Sequence, residues 1–161
     1  MIVVSDTSPL LNLIRIGHLG ILPALYHEVT IPPAVHDELV ATLEGWPPPD
    51  ATASASWLRV IEPVDRRRVA ELAADLDAGE SEAIVIAQEL GSDLLLMDER
   101  KGRQIASSLG LNTVGLLGIL VEAKRTGHIQ QVKPLLDALV NEANFWVGIR
   151  LYRRMLDEVG E

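Results

Sequence analysis

Short apolar runs alternate with longer segments of helical periodicity along most of the chain. The runs are rich in Val, Ile, Leu or Thr and have the length of buried strands, with one possible edge strand among them. They cover residues 2–4, 29–31, 57–61, 94–97 and 112–114. Between them, apolar side chains recur at helical spacing, as Val35, Leu39 and Leu43 do.

The segments between the runs predict a series of helices. They cover residues 10–16, 19–25, 34–43, 64–76, 83–90, 100–109, 116–124 and 129–142, with one more amphipathic helix in the tail near 145–161. This order predicts a three-layer α/β/α fold with a mainly parallel central sheet. We expect one domain over residues 1–161, with a flexible loop near 45–56, where glycine and consecutive prolines break regular structure.

Two aspartates follow two of the predicted strands. Asp6 comes directly after the first apolar run, and Asp98 directly after the run at 94–97. Because the carboxyl ends of parallel strands meet at one edge of the sheet, we expect these side chains to lie close together. Ser8 and Pro9 favour a helix N-cap and first helical position, so helix capping is the alternative explanation for this motif.

Three glutamates lie near the starts or faces of predicted helices. Glu38 lies at the margin of the apolar stripe of residues 34–43, and Glu80 and Glu82 lie in the first turn of a buried helix. A surface position explains Glu38 structurally, and the helix dipole explains the other two.

A site formed by Asp6, Glu38, Glu82 and Asp98 would need a cation, since carboxylates in a small volume raise one another's pKa. Hard oxygen ligands of this kind select Mg²⁺ or Mn²⁺. Such an ion lowers the pKa of a bound water and stabilises charge on a phosphodiester. No serine has an identifiable base partner, and no phosphate-binding glycine motif follows the first strand. Metal-assisted hydrolysis of a phosphate ester is therefore the favoured chemistry.

Composition and charge narrow the setting. The 161 residues include no cysteine, which excludes thiolate metal sites and fits a reducing cytoplasm. We find no signal peptide and no apolar stretch of membrane-spanning length. The net charge of −9 opposes a polyanion, so nucleic-acid binding requires metal ions or a local basic patch. Candidates for that patch are Arg66, Arg67, Arg68, Arg100, Lys101 and Arg103.

Taken together, these motifs resemble the PIN-domain ribonucleases, which include the VapC-type toxins of toxin–antitoxin pairs. The resemblance rests on Asp6-Thr7-Ser8, the proline-led helix with Glu38, the segment 82–87, and Asp98 after its strand. Residues 98–103 and 115–120 are similar to one compact prokaryotic PIN subfamily, described as predicted nucleic-acid-binding. The resemblance covers essentially the whole chain.

The resemblance implies a Mg²⁺- or Mn²⁺-dependent endoribonuclease, frequently a homodimer, with a small antitoxin that covers the acidic cleft. Asp6, Glu82 and Asp98 would hold the metal, and Glu38 would complete the quartet and orient the attacking water. Thr7 or Ser8 would support the metal's water shell. Toxins of the family more often have aspartate at the third position.

Several alternatives stay open at this point. Glu80 competes with Glu82 for the metal, and Glu99 competes with Asp98. The same fold could bind nucleic acid or a protein without cleaving it. A phosphatase with Asp6 as nucleophile is a further reading, although Ser8 stands where that chemistry wants a second acid.

Overall fold

The computed structural model describes residues 1–46 and 57–161. In this part of the chain, five parallel strands form one sheet in the order β3-β2-β1-β4-β5. The strands are β1 (Val3–Ser5), β2 (Val29–Ile31), β3 (Leu58–Val60), β4 (Leu94–Leu96) and β5 (Thr113–Val114). Ser5 pairs with Leu96 at the ends of two neighbouring strands, so the chain leaves both strands at the same edge.

Helices cover both faces of the sheet, and the predicted three-layer α/β/α architecture is confirmed. The described helices are α1 (Thr7–Arg15), α2 (Ile21–Tyr26), α3 (Pro33–Thr42), α4 (Arg66–Leu72), α5 (Ala78–Leu90), α6 (Arg100–Ser108), α7 (Leu116–Arg125), α8 (Lys133–Asn141) and α9 (Ile149–Glu158). None of them is long and apolar enough to cross a membrane.

Alternation along the central strands produces two apolar clusters. Val3 and Leu96 belong to the larger cluster, and their neighbours Val4 and Leu95 belong to the smaller one. Successive side chains of a strand point to opposite faces, so each central strand serves both clusters. This explains why these strands are apolar throughout, as strands covered on both faces are.

The two helices that begin nearest the site start earlier than the sequence predicts. α1 begins at Thr7, and its N-cap residue is Asp6 instead of the predicted Ser8. The Asp6 side chain forms no capping hydrogen bond. Capping therefore does not account for this carboxylate.

A capping box moves the start of α5 from the predicted position 83 to Ala78. Asp77 Oδ1 accepts from the Glu80 N–H at 2.8 Å, and Glu80 Oε2 accepts from the Asp77 N–H at 3.0 Å. These reciprocal bonds satisfy two N–H groups that a helix start otherwise leaves unpaired. They also fix which way the first turn of α5 faces.

The predicted loop near 45–56 and the predicted C-terminal tail are the two remaining features of the predicted fold. Residues 47–56, most of the predicted flexible loop, lie outside the described residues. The tail ends in α9, which the chain enters through a segment without regular secondary structure at residues 144–148.

Candidate active site

A cleft of about 820 Å³ opens where β1 and β4 end. Acidic side chains from several elements line it: Asp6, Glu38, Asp77, Glu80, Asp98 and Glu99. The structure thus brings together three of the four predicted carboxylates, those of Asp6, Glu38 and Asp98. The parallel sheet accounts for the two aspartates, since residues that follow neighbouring strands share one edge.

Asp6 is the most enclosed acid of the cleft, with 5% of its surface exposed. Burial raises the pKa of its carboxyl from 3.8 to about 7, while the interaction with the adjacent Thr7 N–H opposes the rise. Asp77, Glu80 and Glu38 raise this pKa further by charge repulsion. The charged neighbours with the largest effects on the pKa of Asp6 are therefore all acids.

Thr7 connects the start of α1 to Glu38 on α3. Its Oγ1 donates a hydrogen bond to Glu38 Oε2 at 2.6 Å. A carboxylate on the margin of a helix would otherwise sample several rotamers, and this bond holds it against the neighbouring helix. The structure places Glu38 at the cleft near Asp6, and Glu38 is still exposed to solvent there.

Asp98 is held by the protein more firmly than Asp6. Its Oδ1 accepts from the Leu116 N–H at 2.6 Å, and its Oδ2 accepts from Ser8 Oγ at 3.2 Å. Burial raises the pKa of Asp98, whereas these two hydrogen bonds and the nearby Arg103 charge lower it. The position of Asp98 is thereby fixed by α1 and by the first turn of α7.

Glu80 and Glu82 occupy different surroundings, and the structure answers which of them faces the cleft. Glu80 lines the cleft. Burial raises the pKa of Glu80, and so do the negative charges of Asp77, Glu99 and Glu38, whereas the hydrogen bond from the Asp77 N–H lowers it. Glu82 is not among the described residues that line the cleft.

Both oxygens of Glu82 are used within the protein. Oε2 accepts from the Ala34 N–H at 2.9 Å, and Oε1 accepts from Arg66 Nη1 at 2.7 Å. Glu82 therefore joins the starts of α3 and α4. Glu82 points away from the cleft that Glu80 lines, because positions two apart in a helix point about 200° apart. Its role as a metal ligand stays a prediction.

Some of the predicted basic residues form ion pairs within the protein, and Arg103 lines the cleft. Arg66, Arg67, Arg68 and Lys101 pair with acids at Glu82, Glu71 and Asp75. Arg103 does line the cleft, together with Arg15, which the sequence reasoning missed. Arg15 is the last residue of α1, and α1 begins in the cleft. The predicted position of that helix start was the only sequence signal that could have placed Arg15 near the cleft.

The donor chemistry of the cleft fits a hard divalent cation. Its carboxylate and hydroxyl oxygens are the ligands that Mg²⁺ and Mn²⁺ prefer. A Cβ at Gly79 would lie 3.3 Å from Asp6 Oδ1, and one at Gly115 would lie 3.0 Å from Asp98 Oδ1. Both aspartates thus have space beside them that a side chain would fill.

No three His, Asp or Glu side chains in the described part of the chain form a ready-made metal site. The hydrogen bonds above explain this, because Glu38 is turned to Thr7, Glu80 to the Asp77 N–H and Asp98 to the Leu116 N–H. Metal binding would have to compete with these bonds.

The parallel sheet, its two helical layers and the acidic cleft at the strand ends define an α/β protein with a carboxylate-lined site. A family model described as a PIN domain matches residues 2–161, and the chain therefore belongs to the PIN-domain family. Proteins with this domain are generally nucleases. No curated protein matches the chain.

Proposed function

We propose that this PIN domain is a Mg²⁺- or Mn²⁺-dependent endoribonuclease and the toxin of a toxin–antitoxin pair. The observation that carries the nuclease proposal is the Asp6 carboxylate, which is buried at the end of β1 among other acids. A buried carboxylate of this kind requires a proton or a bound cation. Membership of a family of nucleases favours the cation.

Asp6, Glu80 and Asp98 are the proposed metal-holding residues, with Glu80 in the place first assigned to Glu82. A divalent ion supplies positive charge that stabilises the charge developing on a phosphodiester. Glu38, held by Thr7, would orient the attacking water and accept its proton. Ser8 would keep Asp98 in place.

The proposed partners are RNA, a small antitoxin and a second copy of the chain. The antitoxin and the homodimer follow from the resemblance to VapC-type toxins. An antitoxin segment that covers the cleft would need to satisfy its acids, so basic side chains are expected in that segment. Co-purification with the product of a short neighbouring reading frame would test this part of the proposal.

The nuclease proposal is tested by RNA cleavage with Mg²⁺, with Mn²⁺ and with EDTA. Asp6→Asn should lower cleavage more than the roughly 10–100-fold loss typical of an outer-shell contact. Asp37→Asn is the matched control, because the Asp37 side chain is 82% exposed on α3. Undiminished cleavage by Asp6→Asn would reject the site.

A PIN-fold binding module is the second candidate, favoured by the absence of a ready-made three-acid cluster in the described residues. Titration calorimetry separates the two proposals. Uptake of Mn²⁺ by the wild type and not by Asp6→Asn supports the nuclease. No uptake at millimolar Mn²⁺ supports the binding module.

A further inference from the structure

Trp146 is the least expected side chain of the cleft. It is 87% exposed although tryptophan is the largest side chain in the protein. In the segment that joins α8 to α9, Phe145 and Val147 pack against the larger apolar cluster. Trp146 lies between them and lines the acidic cleft, as Phe145 also does, but Trp146 is not part of that cluster.

The segment that carries Trp146 is fixed at both ends. The Phe145 N–H donates to the Leu139 carbonyl oxygen at 2.9 Å, and the Tyr152 N–H donates to the Gly148 carbonyl oxygen at 2.9 Å. A Cβ at Gly148 would lie 3.5 Å from Cη2 of Trp146. One edge of the ring therefore rests above glycine backbone, and most of the ring is open.

Positive charge accompanies the exposed ring. Arg15 and Arg103 line the same cleft, and both have exposed side chains. They are the two cationic side chains among the described residues that line this cleft, which also include six acids. Arginines favour phosphate, and the ring favours the flat face of a base.

We propose that Trp146 is a stacking platform for an unpaired base of a single-stranded nucleic acid whose phosphates contact Arg15 and Arg103. This inference rests on the proposed nuclease function and gives Trp146 a role in binding the substrate. In a duplex the faces of the bases are already stacked on one another, so only an unpaired base can lie on the ring.

An apolar side chain of a protein partner is the other possible occupant of the ring. The proposed nuclease function favours nucleic acid, because Trp146 lies in the cleft where the substrate of that reaction would bind.

The test compares the wild type with Trp146→Leu and Trp146→Phe in binding a labelled single-stranded RNA of ten uridines in EDTA. Trp146→Leu should weaken binding by about 5–100-fold, as the loss of one base–aromatic stack does. Trp146→Phe should stay within about threefold of the wild type, because a ring remains. Ile149→Ala is the control, since Ile149 is exposed and is not among the cleft-lining residues.

The same oligomer with abasic positions separates stacking from charge. Wild type and Trp146→Leu should bind the abasic oligomer equally. The uridine oligomer, and not the abasic one, should quench the fluorescence of Trp146, which is measured as the difference between the wild type and Trp146→Phe. Equal binding of the uridine oligomer by wild type and Trp146→Leu, or no quenching, overturns the proposal. A change in sedimentation of Trp146→Leu with unchanged RNA affinity also overturns it and assigns the ring to a protein interface.

The outcomes for the two proposals are distinguishable. If the protein cleaves no RNA while the stacking results hold, the nuclease proposal fails and the binding inference stands. If RNA is cleaved and Trp146→Leu keeps the kcat/KM of the wild type, the stacking inference fails alone.

Discussion

Asp6 and Glu82 are both buried acids, and they have opposite surroundings. Glu82, 8% exposed, contacts Arg66 and a backbone N–H of α3, so its charge is balanced within the protein. For Asp6, which is 5% exposed, the charged neighbours with the largest effects on its pKa are all acids. Burial alone therefore does not mark a site. A buried acid without its own cation does, because something from outside must balance it.

The largest effect of this contrast should appear in the stability of the metal-free protein. The pKa of Asp6 is about 7 when folded and 3.8 in the unfolded reference, so the folded state holds the proton more tightly. The stability from this group is complete below the unfolded pKa and is lost as pH rises through the folded pKa. Between pH 5 and pH 8 the loss should be about 3 kcal/mol.

Urea unfolding in EDTA measures this loss, with Asp6→Asn as the comparison. The variant lacks the titrating group, so it should become the more stable protein at pH 8 while the two converge towards pH 4. Mn²⁺ should restore the wild type at pH 8 and leave Asp6→Asn unchanged. Parallel pH profiles for the two proteins would contradict the assigned environment of Asp6.

Glu80→Gln and Glu82→Gln compare an acid that lines the cleft with an acid that is paired within the protein, both on α5. Glutamine keeps the capping-box acceptor at position 80, so Glu80→Gln should fold normally. It should lose more activity than the roughly 10–100-fold expected for an outer-shell contact, because a proposed metal ligand loses its charge. RNA cleavage at saturating Mn²⁺ measures the change.

Glu82→Gln should show the opposite result. It weakens the pair with Arg66, whose side chain is 53% exposed, and should cost about 1 kcal/mol of stability with activity nearly unchanged. Urea unfolding and the same cleavage assay measure both quantities. A loss of activity confined to Glu82→Gln would return the metal to the residue first predicted.

The fold was accessible from sequence because its signals are local. Apolar runs predicted β1 and β4, and the all-round apolar segment predicted the buried middle of α5. The choice between Glu80 and Glu82 was not accessible from periodicity alone, because it depends on the phase of the helix. Asp77 sets that phase through the capping box, and the spacing from Asp77 to Glu80 was the signal that could have shown it.

Trp146 illustrates what the sequence could not supply. Its place in the cleft depends on the return of the chain after α8 to residues that are distant in sequence and line the same cleft. Asp98 was easier to place, since the register of two parallel strands carries it to Asp6. Site residues at strand ends were thus predicted, and those on returning segments were not.

A smaller loss of activity is expected from a substitution that fills the space beside a cleft acid and leaves its charge unchanged. A Cβ at Gly115 would lie 3.0 Å from Asp98 Oδ1 and 3.1 Å from Arg103 Nη1. Gly115→Ala should therefore displace the Asp98 carboxylate and lower cleavage by about tenfold, comparable to the loss of an outer-shell contact. Gly20→Ala is the matched control, because no atom lies within 4 Å of its Cβ position. Equal activity of the two variants would show that Asp98 tolerates the shift.

The smallest effect should follow from releasing Glu38. Thr7→Val removes the hydroxyl that donates to Glu38 Oε2 at 2.6 Å and keeps the shape of the side chain. Glu38 then has no fixed rotamer, and kcat should fall by about 3–10-fold, less than the roughly 10–100-fold typical of an outer-shell contact, with KM little changed. Thr7→Ser retains the donor and should restore most of the rate. If Thr7→Ser is as slow as Thr7→Val, packing of the threonine methyl, and not its hydrogen bond, positions Glu38.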